Sequence, residues 1–395
     1  MTLLKKSHLV VLTILISFAS FSAVLFTPAL PDLAIYFQVS DSTAQWTISL
    51  YLIGYAMGQL PYGPLANRIG RKKALFGGLS LALIGSTLCL LAPEFWILCV
   101  GRFLQALGAA AGLKLSYTMI GDCYEGSSAI KIISKITLSF SISPGIAIAL
   151  GGFLASWTGW QGCFVFLSLY TIAIGVLCSF LPETRASINP STFHKTKIVS
   201  GLLAPLKNKP FVLSSFIYGL TSATIYVFVS QAPYIGIQEM KLAPDIYGLW
   251  GLFPALGLAI GLFFTGSIAH NWESKKGMLS GILLGLLGVC LLAIFLSLSK
   301  TPASLFLPMI VVYAGIGITG TFAVGKILSN AKDKSNTSAL MGFLNLGTSA
   351  LFVFLTMPLA PISPKLLITF LYMILGIALL FLYFLKKIEP IKNQK

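Results

Sequence analysis

Apolar runs about as long as a bilayer crossing dominate this sequence. They fall near residues 9–30, 44–65, 74–92, 95–120, 132–155, 160–181, 211–232, 246–268, 277–298, 304–327, 337–358 and 364–385, each bounded by charge or by Pro, Gly or Asn. A membrane-spanning helix needs about 20 predominantly apolar residues, so these are twelve expected spans with short connections. Composition removes the soluble alternative: 56% of the residues are hydrophobic and 10% charged, whereas an average soluble domain is about 25% charged. The first run follows Lys5 and Lys6 as a signal peptide would. It is longer than an h-region and many spans follow, so an uncleaved first helix is expected.

The net charge of +16 would suggest a nucleic-acid partner if it formed one face or tail. Instead, the basic residues sit in small clusters between apolar runs. With a cytoplasmic N-terminus, the inner segments hold the Arg68–Lys73 cluster, Lys275 with Lys276, Lys386 with Lys387 and most of the remainder, while the outer segments hold Lys241, Lys300 and Lys365. The positive-inside rule then places both termini in the cytoplasm, with the bilayer as partner and no role for nucleic acid. Trp46, Trp96, Trp157, Trp160 and Trp250 fall at the outer span ends, where amphipathic rings favour the headgroup level.

The longest polar stretch divides the spans six and six. The expected organisation is an N-terminal bundle over 1–181, a cytoplasmic linker over 182–209 and a C-terminal bundle over 210–395. GPLANRIGRKKAL from Gly63 to Leu75 aligns without gaps to GSIAHNWESKKGM from Gly266 to Met278, each after the second span of its half. Such an echo points to parallel repeats about an axis along the membrane normal.

Enzyme patterns are weak. GTFAVGKI, Gly320 to Ile327, has Ile where a P-loop needs Ser or Thr, and it lies in an apolar span. The histidines His8, His194 and His270 have no ligand-spaced partner, the six cysteines form no CxxC pair, and no Ser/His/Asp set presents itself. No enzyme activity, metal or cofactor is expected, and a membrane-embedded enzyme or receptor would need paired groups at depth. Gly54 with Gly58, Gly108 with Gly112, and Gly281 with Gly285 form small-xxx-small faces that let helices approach.

From Tyr51 the chain reads YLIGYAMGQLPYGPLANRIGRKK. This resembles the major facilitator superfamily signature G-x-x-x-[DN]-R-x-G-R-[KR], at Gly63, Asn67, Arg68, Gly70, Arg71 and Lys72. PALP (Pro28–Pro31), GRFLQALGAAAG (Gly101–Gly112), Asp122, SPGIAIALGGFLASWTGWQGCF (Ser143–Phe164) and LPET (Leu181–Thr184) extend the likeness over the N-terminal half. It is similar to the twelve-span drug:proton antiporters, especially the bicyclomycin/chloramphenicol-resistance (Bcr/CflA) group. The C-terminal half matches in span pattern and in pieces such as QAPYIGIQ (Gln231–Gln238).

The resemblance implies an all-α membrane fold of twelve transmembrane helices in two pseudo-symmetric six-helix bundles. It also implies a multi-pass exporter of small organic molecules in the bacterial inner membrane, coupled to protons and working as a monomer. Gly63 and Gly70 are expected to permit a tight inner turn. Arg68, Arg71 and Lys72 would fix topology and bond carbonyls at helix C-termini, forming the family's inner latch. Asn67 stands where many relatives have Asp, so it keeps a helix-capping oxygen but lacks an anionic partner, which implies a weaker latch. Pro144, Gly145, Gly151 and Gly152 match the antiporter motif, which would bend span five and bring it close to a partner helix.

Charges inside spans are costly and therefore functional candidates. Arg102 lies about a third of the way into span four from outside, where it either serves proton or substrate handling or snorkels outward. Lys114 follows about 18 Å further along a helix, and a cavity-facing amine is favoured over cytoplasmic snorkelling. The acid usual in close relatives, four residues before the first Pro of PALP, is replaced by Val24. Asp32, Asp122 and Lys114 remain as titratable candidates for coupling. Two cations without a central acid favour anionic or zwitterionic cargo, so a dedicated exporter of one anionic metabolite or siderophore-like compound is the alternative to broad efflux.

Overall fold

The computed structural model describes residues 4–124, 126–185, 200–268, 272–329, 331, 333–359 and 361–388. The elements are α1 (Lys6–Val24), a 3-10 turn (Thr27–Ala29), α2 (Leu30–Tyr36), α3 (Asp41–Ala44), α4 (Trp46–Gly58), α5 (Tyr62–Ile69), α6 (Arg71–Leu90), α7 (Phe95–Cys123) and α8 (Gly126–Ser179). They continue with α9 (Lys209–Pro233), a π-helical turn (Tyr234–Glu239), α10 (Pro244–Trp250), α11 (Leu252–Ile268), α12 (Ser274–Leu298), α13 (Pro302–Ser329), α14 (Lys334–Thr356) and α15 (Pro364–Ile388). The chain divides into two compact units, Met1–Val199 with Ala243–Leu249, and Ser200–Leu242 with Trp250–Lys395. Much of the polar stretch 182–209 lies outside the described residues, and its last part, from Ser200, belongs to the second unit.

Ten helices among the described residues are long and apolar enough to cross a bilayer. Two local features reconcile them with twelve apolar runs. The second run is interrupted between α4 and α5, because Pro61 has no N–H to continue the ladder; Gln59 and Leu60 close instead on Ala56 O and Met57 O at 3.1 and 3.3 Å. The fifth and sixth runs form the single element α8, turned at Gly159, whose φ of 71° suits glycine.

Glycines position the helices of both units in the same way. Gly54, Gly58, Gly78 and Gly85 face Phe103, Leu107, Gly108 and Gln105 on α7. The four glycines recur 203 positions later as Gly257, Gly261, Gly281 and Gly288, and these face Ile310, Ala314, Gly315 and Val312 on α13, each 207 positions after its counterpart. The constant offsets extend the short echo at Gly63 and Gly266 across three spans of each half. The left-handed residues Gln38 (φ 54°) and Lys241 (φ 58°) obey the 203-residue offset too. Each half thus repeats one packing scheme, in which a missing side chain lets two backbones meet.

The outer aromatic residues divide into two groups. Trp157 is 79% exposed and Trp96 56% exposed, in keeping with an interfacial ring. Trp160, expected at the headgroup level, is instead 4% exposed. Its ring lies 5.2 Å from Tyr36, 5.3 Å from Phe37 and 6.0 Å from Phe164. The turn at Gly159 precedes it, and the ring packs on the end of the first span.

A Cβ at Gly85 would stand 2.6 Å from Gln105 Cα, whereas one at Gly77 would meet nothing within 4 Å. Gly85→Val is therefore expected to destabilise the first unit by about 1–3 kcal/mol or prevent its folding. Gly77→Val should leave the thermal unfolding of detergent-purified protein near that of the parent.

Candidate functional site

Arg102 is 0% exposed, so it does not snorkel. Its Nη1 donates to Ser22 O at 2.7 Å and to Gln105 Oε1 at 2.5 Å, Nη2 to Ala23 O at 3.2 Å, and Nε to Thr47 O at 3.3 Å. The rings of Phe26 and Tyr51 each lie 4.2 Å from Cζ. Ser22 and Ala23 belong to the last turn of α1, where carbonyls lack intrahelical donors and the helix dipole favours a cation. Gln105 passes the connection on, donating from Nε2 to Ser86 Oγ at 2.7 Å. One guanidinium thus joins α7 to α1 and α4, and through Gln105 to α6. A buried charge is tolerated when its donors are satisfied and aromatic faces flank it.

The signature loop forms a second network within the first unit. Arg71 Nε donates to Asp122 Oδ2 at 2.9 Å and Nη2 to Oδ1 at 3.3 Å, a two-pronged ion pair with the end of α7. Arg71 Nη1 donates to Asn67 Oδ1 at 2.7 Å, and Arg185 Nη1 donates to the same oxygen. Thr184 Oγ1 donates to Asp122 Oδ2 at 2.9 Å. The Glu183 carboxylate accepts from Arg71 N and Lys72 N, both at 3.0 Å, and so caps α6 from a position 112 residues away. Lys72 Nζ donates to Ser179 O, the last residue of α8, at 2.5 Å.

Four expectations are corrected by this geometry. Asn67 does not cap a helix; Glu183 does, because α6 begins directly after Gly70, where the backbone N–H groups of Arg71 and Lys72 face the end of α8. The loop does not lack an anion, since Asp122 and Glu183 supply two. Arg71 bonds a carboxylate, not a helix-terminal carbonyl, because the end of α7 brings Asp122 beside it. Gly70 has the turn conformation, with φ 98°, and a Cβ there would stand 2.7 Å from Glu183 Oε2. Gly63, by contrast, is helical within α5, and its missing side chain leaves room for Lys114, whose Cε lies 3.5 Å from where a Cβ would be.

Lys114 itself is 8% exposed, its stem packed against α5. Asp32 is exposed in the first turn of α2, and Arg68 is exposed on the last turn of α5. Pro144 lies inside α8, in which Gly159 is the non-helical residue. Gly145 is buried. Gly151 meets the backbone of Leu25, and Gly152 that of Pro244 and Gly248, both counted in the first unit. Glu183, Thr184, Arg185 and Gln105 were not singled out from sequence. LPET marked the end of span six, but nothing local joined it to a loop more than a hundred residues earlier.

These polar ties hold together the spanning helices of a multi-pass membrane protein with a repeated helical fold. The chain belongs to the Major Facilitator Superfamily, which it matches over residues 11–355. It is 30% identical over 297 residues to an uncharacterized transporter of Rickettsia bellii (strain RML369-C), covering 74% of this chain and 73% of that protein. It is 29% identical over 278 residues to a chloramphenicol resistance protein of Pseudomonas aeruginosa, covering 70% and 65%. Multidrug resistance protein D of Escherichia coli (strain K12) is 25% identical over 245 residues, covering 57% and 62%. These relatives agree with the bicyclomycin/chloramphenicol-resistance group. A crystal structure of a D-xylose-proton symporter shares the fold, with a TM-score of 0.80 over 98% of this chain and 99% of that one at 17% identity.

Arg102→Ala would deprive the Ser22 and Ala23 carbonyls of their buried donor, each loss costing about 1–3 kcal/mol. Extracted Arg102→Ala protein should unfold well below the parent in a thermal scan, with Arg102→Lys in between. Equal unfolding of all three would show that the guanidinium does not hold the helices. Glu183→Ala removes a helix cap and is expected to cost about 1 kcal/mol in the same assay.

Proposed function

We propose that this transporter exports small organic molecules from the bacterial cytoplasm in exchange for protons, with cargo exposed to either side of the inner membrane in turn. On this reading both termini are cytoplasmic, the halves are residues 1–181 and 210–395 joined by 182–209, and the working form is a monomer. Supporting this is the presence of chloramphenicol and multidrug resistance proteins among the relatives. The clustering of Lys and Arg in alternate connections supports the orientation.

The network at Asn67, Arg71, Asp122 and Glu183 acts as the inner latch of the first unit. Proton coupling needs a titratable group whose protonation competes with cargo. Asp122 is engaged by Arg71 and Thr184, which directs attention to Asp32 and Lys114. A second reading, one dedicated anionic cargo, is favoured by the buried Lys114 cation together with Val24 at the usual acidic position. Arg102 adds little to that reading, since its donors turn to protein carbonyls and Gln105.

Everted vesicles with an imposed interior-acid gradient test both. Chloramphenicol, a cationic dye and a carboxylate are offered in turn, and uptake is expected to rise with the gradient and fall when it is collapsed. Uptake indifferent to the gradient would remove proton antiport. Asp32→Asn should uncouple uptake from the gradient if that carboxylate carries the proton. Carboxylate uptake undiminished by Lys114→Ala would remove the anionic reading.

A further inference from the structure

The two halves repeat one packing scheme, yet one segment is wound differently in each. After α1, a 3-10 turn (Thr27–Ala29) leads into α2, and Phe37 N closes four residues back on Leu33 O at 3.1 Å. The counterpart of Phe37 at the 203-residue offset is Met240, whose N–H reaches five residues back to Ile235 O at 3.0 Å, at the end of the π-helical turn Tyr234–Glu239. Both segments end at a left-handed residue, Gln38 in one and Lys241 in the other. Equivalent lengths of chain thus hold two windings, of which the π-helical one is the rarer.

The windings differ in what becomes of the carbonyls before them. In the first unit α1 stops at Val24, which frees Ser22 O and Ala23 O, and Arg102 on α7 donates to both. In the second unit their counterparts are the carbonyls of Ile225 and Tyr226. Arg102 is matched there, at the 207-residue offset, by the fully buried Met309, which has no side-chain N–H. Without that donor α9 continues to Pro233, and both carbonyls keep their place in the helical ladder. The ladder is weak at this point, because Pro233 offers no N–H to Val229 O.

Gln231 stands in this stretch. It is 0% exposed, and neither its Nε2 nor its Oε1 has a hydrogen-bond partner. Turning the amide over gives no relief, since both ends lack partners. Buried side-chain polar groups are normally paired. An unpaired one is costlier than an apolar group of the same shape.

We propose that residues 231–241 form a two-state element with Gln231 as its switch. In the π-helical winding the amide is buried and unpaired. In the other winding, that of residues 28–38, the carbonyls of Ile225 and Tyr226 are freed. The Gln231 amide, about one and a half turns further along the same helix, then donates to them in place of the missing arginine. The unpaired amide therefore works against the π-helical winding and keeps the end of α9 able to rewind.

Hydrogen exchange at the backbone amides of 234–241, followed by mass spectrometry on the full-length protein in lipid nanodiscs, reads this equilibrium. It does not read transport, so its failure is separate from failure of the efflux assignment. Gln231→Leu removes the unpaired amide at similar volume. It should slow exchange over 234–241 at least about fivefold, the lower end of the cost of an unpaired buried group, while exchange over 28–38 stays as in the parent. Met309→Gln offers the freed carbonyls a donor from α13 and should speed exchange over 234–241. Should Gln231→Leu not fold, Gln231→Met takes its place. Three results overturn the proposal: exchange over 234–241 unchanged by loss of the amide, as when a buried water already pairs it; a slowing shared equally by 28–38; or a Met309→Gln protein that exchanges as the parent does.

Discussion

In a bilayer, helices gain no hydrophobic free energy by leaving lipid for one another, so the closeness at which their backbones can meet decides which of them associate. In this chain the meeting points are glycines. Gly78 and Gly85 bring α6 onto α7 at Gly108 and Gln105, and Gly281 and Gly288 bring α12 onto α13 at Gly315 and Val312. Gly54 and Gly58 do the same for α4, as Gly257 and Gly261 do for α11. The polar contacts of the first unit depend on this closeness. A guanidinium on α7 reaches Thr47 O on α4 and Ser22 O on α1 because no β-carbons hold those backbones apart.

The buried charges join elements more than they expose reactive groups. Arg102 bonds α1, α4 and, through Gln105, α6, in a region where an unsatisfied cation would be costly. At the other end of α7, Arg71, Asp122, Asn67 and Glu183 fasten the start of α6 to the ends of α7 and α8. Glu183 provides for α6 what a capping residue usually provides from the preceding position. Gly70 occupies that position here, with a positive φ and no side chain to offer.

Several site residues were legible as types and illegible as partners. Gly63 and Gly70 stand in one motif, yet Gly70 makes a turn while Gly63 accommodates a lysine from another helix. Asn67 was readable as a hydrogen-bonding oxygen, but of its two donors only Arg71 is local, four residues on, while Arg185 comes from 118 residues further along the chain. The tryptophans were readable as interfacial rings, and Trp160 left that group because the chain reverses at Gly159 and turns it inward. In each case the chemistry of the residue is local, whereas its neighbour is set by the rotation of a distant helix.

From the sequence alone came the membrane class, the succession of spans, the family likeness and the identity of the costly charges. All of these follow from run length, charge placement and motif spacing along one chain. Tertiary structure decided that Arg102 faces carbonyls, that Glu183 caps α6 and that Lys114 lies over Gly63. A residue's azimuth turns by about 100° per position on a helix. Which faces meet is therefore determined by the packing of all the helices together and cannot be read from any single run.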